Sequence, residues 1–285
     1  MALNQLYGLS GFMGSGKNTA AALLIDAARD SGYADDILYT HSFAGVLKDV
    51  CAVLYGWDRA LLEGDTPASR VWREKPDPYW SKVFNRPYTP RTALQEIGTN
   101  VFRNYQSNIW IAAIEQRTSV PGMHILTDAR FENELSWIRE RESGRGLTLW
   151  IYRPEPQHYD GPTRDQLTHL IANATHLDVS QPGLSWIHAL PGHASETSFL
   201  KSGQLLDIVV ENSYGLAELR LLIKHLWSLQ GTGQLAMLPV GTRTLYLSYD
   251  LANFTHGPFV WRYQLPNGFV RTFRYTQAGE PAVIH

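Results

Sequence analysis

Near its start the chain carries the stretch Gly8-Leu9-Ser10-Gly11-Phe12-Met13-Gly14-Ser15-Gly16-Lys17-Asn18-Thr19, which follows an apolar run and leads into an alanine-rich segment. Its spaced glycines let the backbone adopt positive φ angles, so that successive N–H groups can face an anion. The helix that begins near Gly16 adds its positive dipole end, and Lys17 adds a full charge. The stretch therefore predicts a phosphate-binding loop between the first strand and the first helix.

The loop matches the pattern G-x-x-x-x-G-K-[ST] from Gly11 to Lys17 and departs from it at Asn18. The hydroxyl expected there normally ligates Mg²⁺, so the candidate ligands are Asn18, directly or through a water, and Thr19. A strand-to-helix turn without a ligand is the alternative, but the intact glycine spacing and the lysine favour a nucleoside triphosphate site. The predicted nucleotide-binding residues are Gly11, Met13, Gly14, Ser15, Gly16, Lys17, Asn18 and Thr19.

Length and composition predict one main globular domain with an appendage. The 285 residues are 44% hydrophobic and 18% charged, which allows a sizeable core, and the net charge of −2 gives no reason to expect a nucleic-acid partner. The single cysteine, Cys51, excludes an internal disulfide framework and lies in an apolar helical run, which favours a core residue over a nucleophile. We find no signal peptide and no apolar run of membrane-spanning length, so we expect a cytoplasmic protein without a membrane partner.

Apolar periodicity predicts an α/β fold in which helices flank a parallel sheet, because the chain opens with a strand, a loop and a helix. The predicted strands are 5–10, 37–42, 124–127, 147–152 and 205–212, and the predicted helices are 16–29, from 43 onward, from 89 onward, 108–117 and 215–229. Ser42, Phe43 and Lys48 lie where the second strand ends and the next helix begins. Ligands gather at the carboxyl ends of the strands in such sheets, so these residues are placed to face the ligand of the loop.

Two segments interrupt this alternation. Residues 63–90 are polar and rich in Pro, Trp and Arg, which favours a large mobile insertion over a core element. Residues 154–204 carry prolines, glycines and five histidines with weak periodicity, and they predict an inserted lid. The histidine pairs that could suggest a zinc site are His169 with His176 and His188 with His193. The lone cysteine and the absence of closely spaced ligand pairs disfavour zinc.

From about residue 231 the chain changes to short alternating aromatic runs. The turn signal Pro266-Asn267-Gly268 separates two of them and predicts a hairpin or a small antiparallel sheet. The same runs contain Arg262, Arg271 and Arg274. Arginines among aromatics can bind nucleic acid, but the near-zero net charge favours a packed appendage or an oligomer contact, such as that of a homodimer. We therefore predict a main domain, 1–230, and a β-rich appendage, 231–285.

A polar helix face is the candidate acceptor site. Thr89-Pro90 opens this helix with an N-cap and a first-turn proline. Arg91 and Gln95 are four residues apart and share a face; we expect Thr99 to share it and Arg103, twelve residues past Arg91, to fall close to it. A solvated face is the alternative, but apolar side chains cover the opposite side, which favours a functional face.

A second cluster follows the predicted strand 124–127. Asp128 stands where a P-loop protein holds a metal-bound water or polarises a nucleophile. Arg130, two residues later, could stabilise a transferring phosphoryl group or bind the acceptor phosphate. The alternative is an Asp128–Arg130 pair that caps the following helix. Together with Lys17, these two residues are the predicted catalytic residues, and Asp128 is a third candidate ligand for Mg²⁺.

These clusters predict a small-molecule kinase. The chain has no N-K-x-D-type guanine motif and no second ATPase module, which argues against switches and motors. A donor site at the loop, an Arg/Gln acceptor helix and a lid are the parts that phosphoryl transfer requires, because the reaction depends on alignment, charge neutralisation and exclusion of water.

Six blocks, in order across residues 5–228, resemble the bacteriophage deoxynucleoside monophosphate kinases. The blocks are Gly11–Thr19, His41–Lys48, Thr89–Thr99, Leu126–Glu134, His193–Glu196 and Asp207–Asn212. The family is similar to adenylate kinases in architecture. The resemblance implies a P-loop kinase with a three-layer parallel sheet and with monophosphate-binding and lid insertions. It also implies transfer of the ATP γ-phosphate to a deoxynucleoside monophosphate with Mg²⁺, in the host cytoplasm if the protein is viral.

Carried over by position, the resemblance implies that Arg91 grips the acceptor phosphate, that Gln95 reads the base edge and that Arg130 lies between donor and acceptor. It further places Ser42, Phe43 and Lys48 on the monophosphate side, and it implies substrate or lid-closure contacts for the block that begins at His193. Residues 231–285 have no counterpart in this family. Two alternatives stay open: another P-loop small-molecule kinase, of the dephospho-coenzyme A or phosphomevalonate kinase type, and a non-catalytic nucleotide-binding module whose tail binds a partner or nucleic acid.

Overall fold

The structure is a computed structural model that describes residues 4–141, 146–153, 198–200, 205–237, 245–264 and 269–284. The described residues divide into two compact units, one within 1–40 and 121–285 and the other within 41–120. The strands are β1 (Asn4–Ser10), β2 (Leu38–His41), β3 (Gly122–Leu126), β4 (Gly146–Tyr152), β5 (Ile208–Glu211), β6 (Leu245–Tyr249), β7 (Phe259–Gln264), β8 (Val270–Tyr275) and β9 (Pro281–Ile284). The helices are α1 (Lys17–Asp30), α2 (Phe43–Tyr55), α3 (Pro67–Glu74), α4 (Pro78–Phe84), α5 (Pro90–Gln95), α6 (Ile109–Arg117), α7 (Glu132–Glu140) and α8 (Leu216–Gly231).

The described strands form one sheet in the order β2-β3-β1-β4-β5-β6-β7-β8-β9. β1 pairs in parallel with both β3 and β4, and β4–β5 and β5–β6 are also parallel, whereas the pairs from β6 to β9 are antiparallel. The predicted α/β class with a large, mostly parallel sheet is therefore confirmed. The strands predicted from apolar runs before residue 212 all occur, with ends that differ by a few residues.

Helices pack on both faces of the sheet. On one face, α1 and α8 cover a core that contains Tyr7 and Leu9 of β1 and alternate residues of the neighbouring strands. On the other face α7 lies so close to β1 that a Cβ at Gly8 would be 2.4 Å from the Cδ1 atom of Ile138. Because successive side chains of a strand point to opposite faces, this packing accounts for the apolar residues on both sides of β1.

The C-terminal strands continue the central sheet. The sequence predicted a packed β-rich appendage or an oligomer contact, and the antiparallel pairing of β7 with β8 agrees with the predicted hairpin, whose turn at 266–268 lies outside the described residues. The first of these strands, β6, pairs in parallel with β5, and its Leu245, Leu247 and Tyr249 join the core under α8. This pairing uses the N–H and C=O groups that β5 would otherwise present at an open edge. The strand β9 was not predicted.

In the smaller unit, residues 63–90 contain two capped helices where the sequence favoured an insertion without core elements. The Thr66 hydroxyl accepts a hydrogen bond from the Ser69 N–H (3.1 Å), and the Asp77 carboxylate accepts one from the Trp80 N–H (3.0 Å). Each helix has proline at its first position. Aromatic rings join these helices to α2 and to the segment before α5, and the cluster consists of Tyr55, Trp57, Trp72, Trp80, Phe84 and Tyr88. Tyr55, Trp57 and Tyr88 are buried in this cluster, whereas Trp72 and Trp80 are half-buried and Phe84 is exposed. These aromatic contacts provide packing that the polar composition of the segment did not predict.

Cys51 is fully buried in α2, and burial raises the pKa of its thiol to about 11. A thiol with so high a pKa carries almost no thiolate at neutral pH, so it is a poor nucleophile. The placement agrees with the expected core role. The histidines considered as zinc ligands, at 169, 176, 188 and 193, lie outside the described residues. Within the described ranges, no group of three or more His, Cys, Asp or Glu side chains could hold a metal ion.

His225 joins α8 to the C-terminal strands. Its ring stacks on Phe259, with 4.1 Å between ring centroids, and its Nε2 accepts a hydrogen bond from the Trp261 indole N–H at 2.9 Å. Burial lowers the pKa of His225 to about 3. The imidazole is therefore neutral in the folded protein at pH 7 and must gain its proton in the unfolded chain as the pH falls below the ordinary value of 6.5.

We predict that the free energy of unfolding is greatest above pH 6.5 and falls as the pH decreases toward 3, because the unfolded state binds the His225 proton first. The variant His225→Gln removes this titration and should show a shallower fall, with lower stability at pH 7.5. Urea unfolding at pH 7.5, 6.5, 5.5 and 4.5 measures how steeply the free energy of unfolding falls with pH in the wild type and in the variant. His256→Gln, at an exposed histidine, is the matched control and should keep the wild-type slope. Equal slopes for His225→Gln and the wild type would contradict the prediction.

Candidate functional site

The loop between β1 and α1 has the backbone conformation that its glycines predicted. Gly11, Gly14 and Gly16 have φ angles of 140°, 80° and 98°. A Cβ at Gly11 would lie 2.6 Å from the carbonyl oxygen of Ile151, whereas the corresponding position at Gly14 has no atom within 4 Å. The loop is therefore tightly packed against β4 at its start and open at its tip, where Met13 and Gly14 are exposed.

Lys17 lies across this loop. Its Nζ donates hydrogen bonds to the carbonyl oxygens of Gly11 and Phe12, each at 2.7 Å. Asn18 and Thr19 follow in the first turn of α1 with exposed side chains. The positive end of the helix, the lysine ammonium and the two candidate metal ligands thus belong to one short segment.

The environment of the Ser15 hydroxyl indicates whether the loop suits an anion. The residue is fully buried, and its Oγ has no hydrogen-bond partner in the described part of the chain. A buried hydroxyl without a partner costs free energy, which a phosphate oxygen would recover by accepting its hydrogen. This hydroxyl, the positive-φ glycines and Lys17 all suit a phosphate group.

The ends of neighbouring strands hold the loop. The Ser10 hydroxyl donates to the Ala129 carbonyl at 2.7 Å, and the Ala129 N–H donates to the Leu9 carbonyl at 3.1 Å, which ties the segment after β3 to the end of β1. The Asn212 side-chain amide donates to the Ser15 carbonyl at 3.0 Å, which ties the end of β5 to the loop. The site therefore lies at the carboxyl edge of the sheet, as expected for an open α/β fold.

Asp128 and Arg130 lie in the segment between β3 and α7, and both are half-buried. The backbone that leads into α7 is held by the buried carboxylate of Glu134, which accepts hydrogen bonds from the N–H groups of Arg130 (2.8 Å) and Phe131 (3.1 Å). These two hydrogen bonds are compatible with either role for Asp128 and Arg130, the catalytic one or the capping one.

In the smaller unit, the predicted acceptor residues lie on α2, on α5 and on the π-helical segment Glu96–Arg103 that continues α5. Ser42 directly precedes α2, and Phe43, its first residue, is buried. The Lys48 ammonium pairs with the Glu63 carboxylate at 2.6 Å. Burial raises the pKa of Glu63, but the opposing effect of Lys48 and Arg59 is greater and lowers it below its ordinary value.

The acceptor helix begins as predicted, because the Thr89 hydroxyl accepts a hydrogen bond from the Thr92 N–H at 3.0 Å. The Arg91 guanidinium pairs with Glu74 at 3.0 Å, and Gln95 and Thr99 are half-buried. Twelve residues of α-helix make about 3.3 turns, which would leave Arg103 about a third of a turn from Arg91. The π-helix rotates less per residue, so it turns Arg103 back toward the Arg91 face.

The structure therefore gathers the loop, Asp128, Arg130 and Asn212 in the larger unit, and the acceptor residues in the smaller one. Sequence reasoning about the site missed Ser10, Glu134 and Asn212, although the last two stand in blocks that carried the family resemblance. The sequence carries no signal for the partners of Ser10 and Asn212, which lie 119 and 197 positions away. Glu134 is different, because it bonds residues three and four positions before it, the spacing of a glutamate near a helix start. The block that begins at His193 lies outside the described residues. None of the described helices combines the length and apolarity needed to span a membrane.

Two curated relatives identify the family. A protein of Acanthamoeba polyphaga mimivirus named "Putative deoxynucleotide monophosphate kinase" is 30% identical over 173 residues, which cover 52% of this chain and 74% of the relative. The chain belongs to the deoxynucleoside monophosphate kinase family. A deoxynucleoside-5'-monophosphate kinase of Escherichia phage T5 is 25% identical over 183 residues, which cover 48% of this chain and 73% of that kinase. No protein-family model matches the chain. The relatives thus confirm the resemblance to deoxynucleoside monophosphate kinases that the six sequence blocks indicated.

We predict that Gly16→Ala weakens ATP binding in addition to lowering the stability of the fold. A Cβ at Gly16 would lie 2.6 Å from the Asn212 Nδ2, so alanine must displace that amide as well as adopt a left-handed conformation. Gly32→Ala is the matched control, with a φ of 87° and no atom within 4 Å of the added Cβ. Both variants should lose about 1–2 kcal/mol of stability through backbone strain. Only Gly16→Ala should also weaken ATP binding, by roughly tenfold or more.

Thermal unfolding and calorimetric titration with ATP measure the two effects. Equal ATP affinity in the two glycine variants would show that the position of the Asn212 amide beside Gly16 is irrelevant to ATP binding.

Proposed function

We propose that this enzyme transfers the γ-phosphoryl group of ATP to a deoxynucleoside monophosphate, with formation of ADP and the deoxynucleoside diphosphate. Membership of the deoxynucleoside monophosphate kinase family carries the proposal. The loop between β1 and α1 supports it independently, because three features suit a phosphate group. They are the positive-φ glycines, the Lys17 ammonium, and a buried Ser15 hydroxyl that has no hydrogen-bond partner among the described residues. The viral relatives further suggest action in a host cytoplasm.

The donor half of the reaction is assigned to the loop. Its N–H groups and the α1 N-terminus would bind the β- and γ-phosphates, and Lys17 would exchange its contacts with the loop carbonyls for phosphate oxygens. Mg²⁺, which neutralises phosphate charge when bound, would be held by Asn18, Thr19 or Asp128, directly or through water. The N-cap contacts of Glu134 fix the backbone that carries Asp128 and Arg130.

The acceptor half is assigned to the smaller unit. Arg91 would bind the monophosphate through charge-assisted hydrogen bonds and leave its present partner Glu74, an exposed carboxylate whose contribution to the free energy is small. Gln95 would recognise the base edge, with Ser42, Phe43 and Lys48 beside it and with Thr99 and Arg103 further along the helix. Arg130 would stabilise the charge that develops between donor and acceptor. The predicted lid, residues 154–204, lies outside the described residues except for 198–200.

A coupled ADP-release assay with dAMP, dGMP, dCMP and dTMP tests the function. We expect turnover with at least one of them, and a loss of about 10²- to 10³-fold or more in kcat for Lys17→Met, which removes the charge but keeps the stem. Lys224→Met, which removes a lysine from an exposed ion pair with Asp30, is the control and should retain full activity. Dephospho-coenzyme A and phosphomevalonate serve as further acceptors. Turnover of these alone, or none at all, would refute the proposal.

Arg91→Ala tests the acceptor assignment. Loss of a charged partner for the monophosphate should raise the KM for the deoxynucleoside monophosphate by about 10- to 100-fold and leave the KM for ATP nearly unchanged. Arg86→Ala is the matched control, because Arg86 also forms an exposed ion pair, with Glu96, and has no assigned contact with substrate. An unchanged acceptor KM in Arg91→Ala would show that the acceptor phosphate binds elsewhere.

A further inference from the structure

We infer that Asn212 is a positioning residue for the phosphate loop, which fixes the direction of the Gly16 N–H by holding the carbonyl oxygen of Ser15. The inference rests on the proposed use of this loop for ATP. Asn212 directly follows β5 and is outside the set of residues assigned to substrate, cofactor or metal.

Two hydrogen bonds fix Asn212 between the sheet and the loop. Its backbone N–H donates to the Tyr152 carbonyl at the end of β4, at 2.6 Å, and its side-chain Nδ2 donates to the Ser15 carbonyl at 3.0 Å. The residue is only 8% exposed. A buried amide that is held by the sheet on one side and by the loop on the other can transmit the rigidity of the sheet to the loop.

The contact constrains a particular peptide group. In a planar trans peptide the C=O and the following N–H point in opposite directions. Because the Ser15 carbonyl points at Asn212, the N–H of Gly16 points away from it. Without this anchor the peptide could rotate, since glycine tolerates both signs of φ, and would then present a carbonyl oxygen where an N–H is needed. An oxygen in that position repels a phosphate.

The residue before Asn212 keeps the strand end in place. Glu211 is buried and its carboxylate accepts hydrogen bonds from the hydroxyls of Ser213 and Tyr246. Burial and the neighbouring carboxylate raise the pKa of Tyr246, so that this phenol stays protonated and able to donate. Tyr246 belongs to β6, and so the C-terminal strands support the position from which Asn212 reaches the loop.

Two substitutions separate the hydrogen bond from the packing. Asn212→Leu keeps the number and branching of the side-chain heavy atoms but cannot donate a hydrogen bond. Asn212→Asp places an acceptor and a negative charge against the Ser15 carbonyl. Thr148→Val is the matched control, because the Thr148 hydroxyl makes a buried contact with Asp207 (2.7 Å) at the amino ends of the same two strands, away from the loop. The readouts are calorimetric affinity for ADP with Mg²⁺, the KM for ATP, the KM for the monophosphate, and the Tm.

We expect Asn212→Leu to weaken ADP affinity and to raise the KM for ATP by about 5- to 100-fold, with a smaller change in the KM for the monophosphate. Asn212→Asp should lose more than Asn212→Leu. Thr148→Val should lower the Tm and leave ADP affinity within about twofold of the wild type. The inference is overturned if Asn212→Leu lowers the Tm as Thr148→Val does but binds ADP as tightly as the wild type.

Binding of ADP needs no turnover, so these measurements also separate the inference from the proposed function. A wild-type protein that binds ADP but phosphorylates no deoxynucleoside monophosphate would contradict the proposed function and leave the comparison of Asn212 variants valid. A wild-type protein that binds neither ADP nor ATP would overturn both.

Discussion

Parallel pairing of β1 with β3 and β4 is the constraint on which the rest of the structure depends. Parallel strands end at the same edge of a sheet, so this pairing brings the loop after β1, the segment after β3 and the end of β4 together. Two contacts around the loop depend on this arrangement: the hydrogen bond from the Ser10 hydroxyl to the Ala129 carbonyl and the packing of Gly11 against Ile151. A strand displaced by one residue would turn its buried side chains to the opposite face, and so the core of α1 and α8 also enforces the register.

The C-terminal strands have a structural connection to the loop. They extend the sheet through β6, which pairs with β5. Phe259 and Trp261 of β7 contact the buried ring of His225, and the Tyr246 hydroxyl of β6 donates a hydrogen bond to Glu211. A neutral histidine and a buried carboxylate are both costly to place in a core unless every polar atom finds a partner. Because His225 and Glu211 are buried between α8, β5 and the C-terminal strands, these strands pack as part of the main sheet.

Local patterns predicted much of the fold and part of the site. The glycine spacing predicted the positive φ angles of the loop, and Thr89-Pro90 predicted the start of a helix that the Thr89 cap confirms. The same pattern, an N-cap residue followed by proline, occurs at Thr66-Pro67 and Asp77-Pro78, and a helix begins at each. The polar composition of this segment outweighed that pattern in the prediction from sequence, so these helices were not predicted. The π-helical continuation of α5 could not be read from spacing, because its departure from α-helical geometry has no distinct residue pattern.

The sequence by itself determined features that depend on a few consecutive residues: the conformation of the phosphate loop, the helix cap at Thr89, and the strand or helix character of most apolar runs. Only the tertiary structure decided which distant groups meet, such as Asn212 with Ser15, His225 with Trp261 and β6 with β5. The physical reason is that backbone conformation responds to local sterics and hydrogen bonding, whereas the choice of partner follows from burial of the whole core. Twelve consecutive residues therefore determine the conformation of the phosphate loop. Its rigidity depends on contacts with distant parts of a chain of 285 residues.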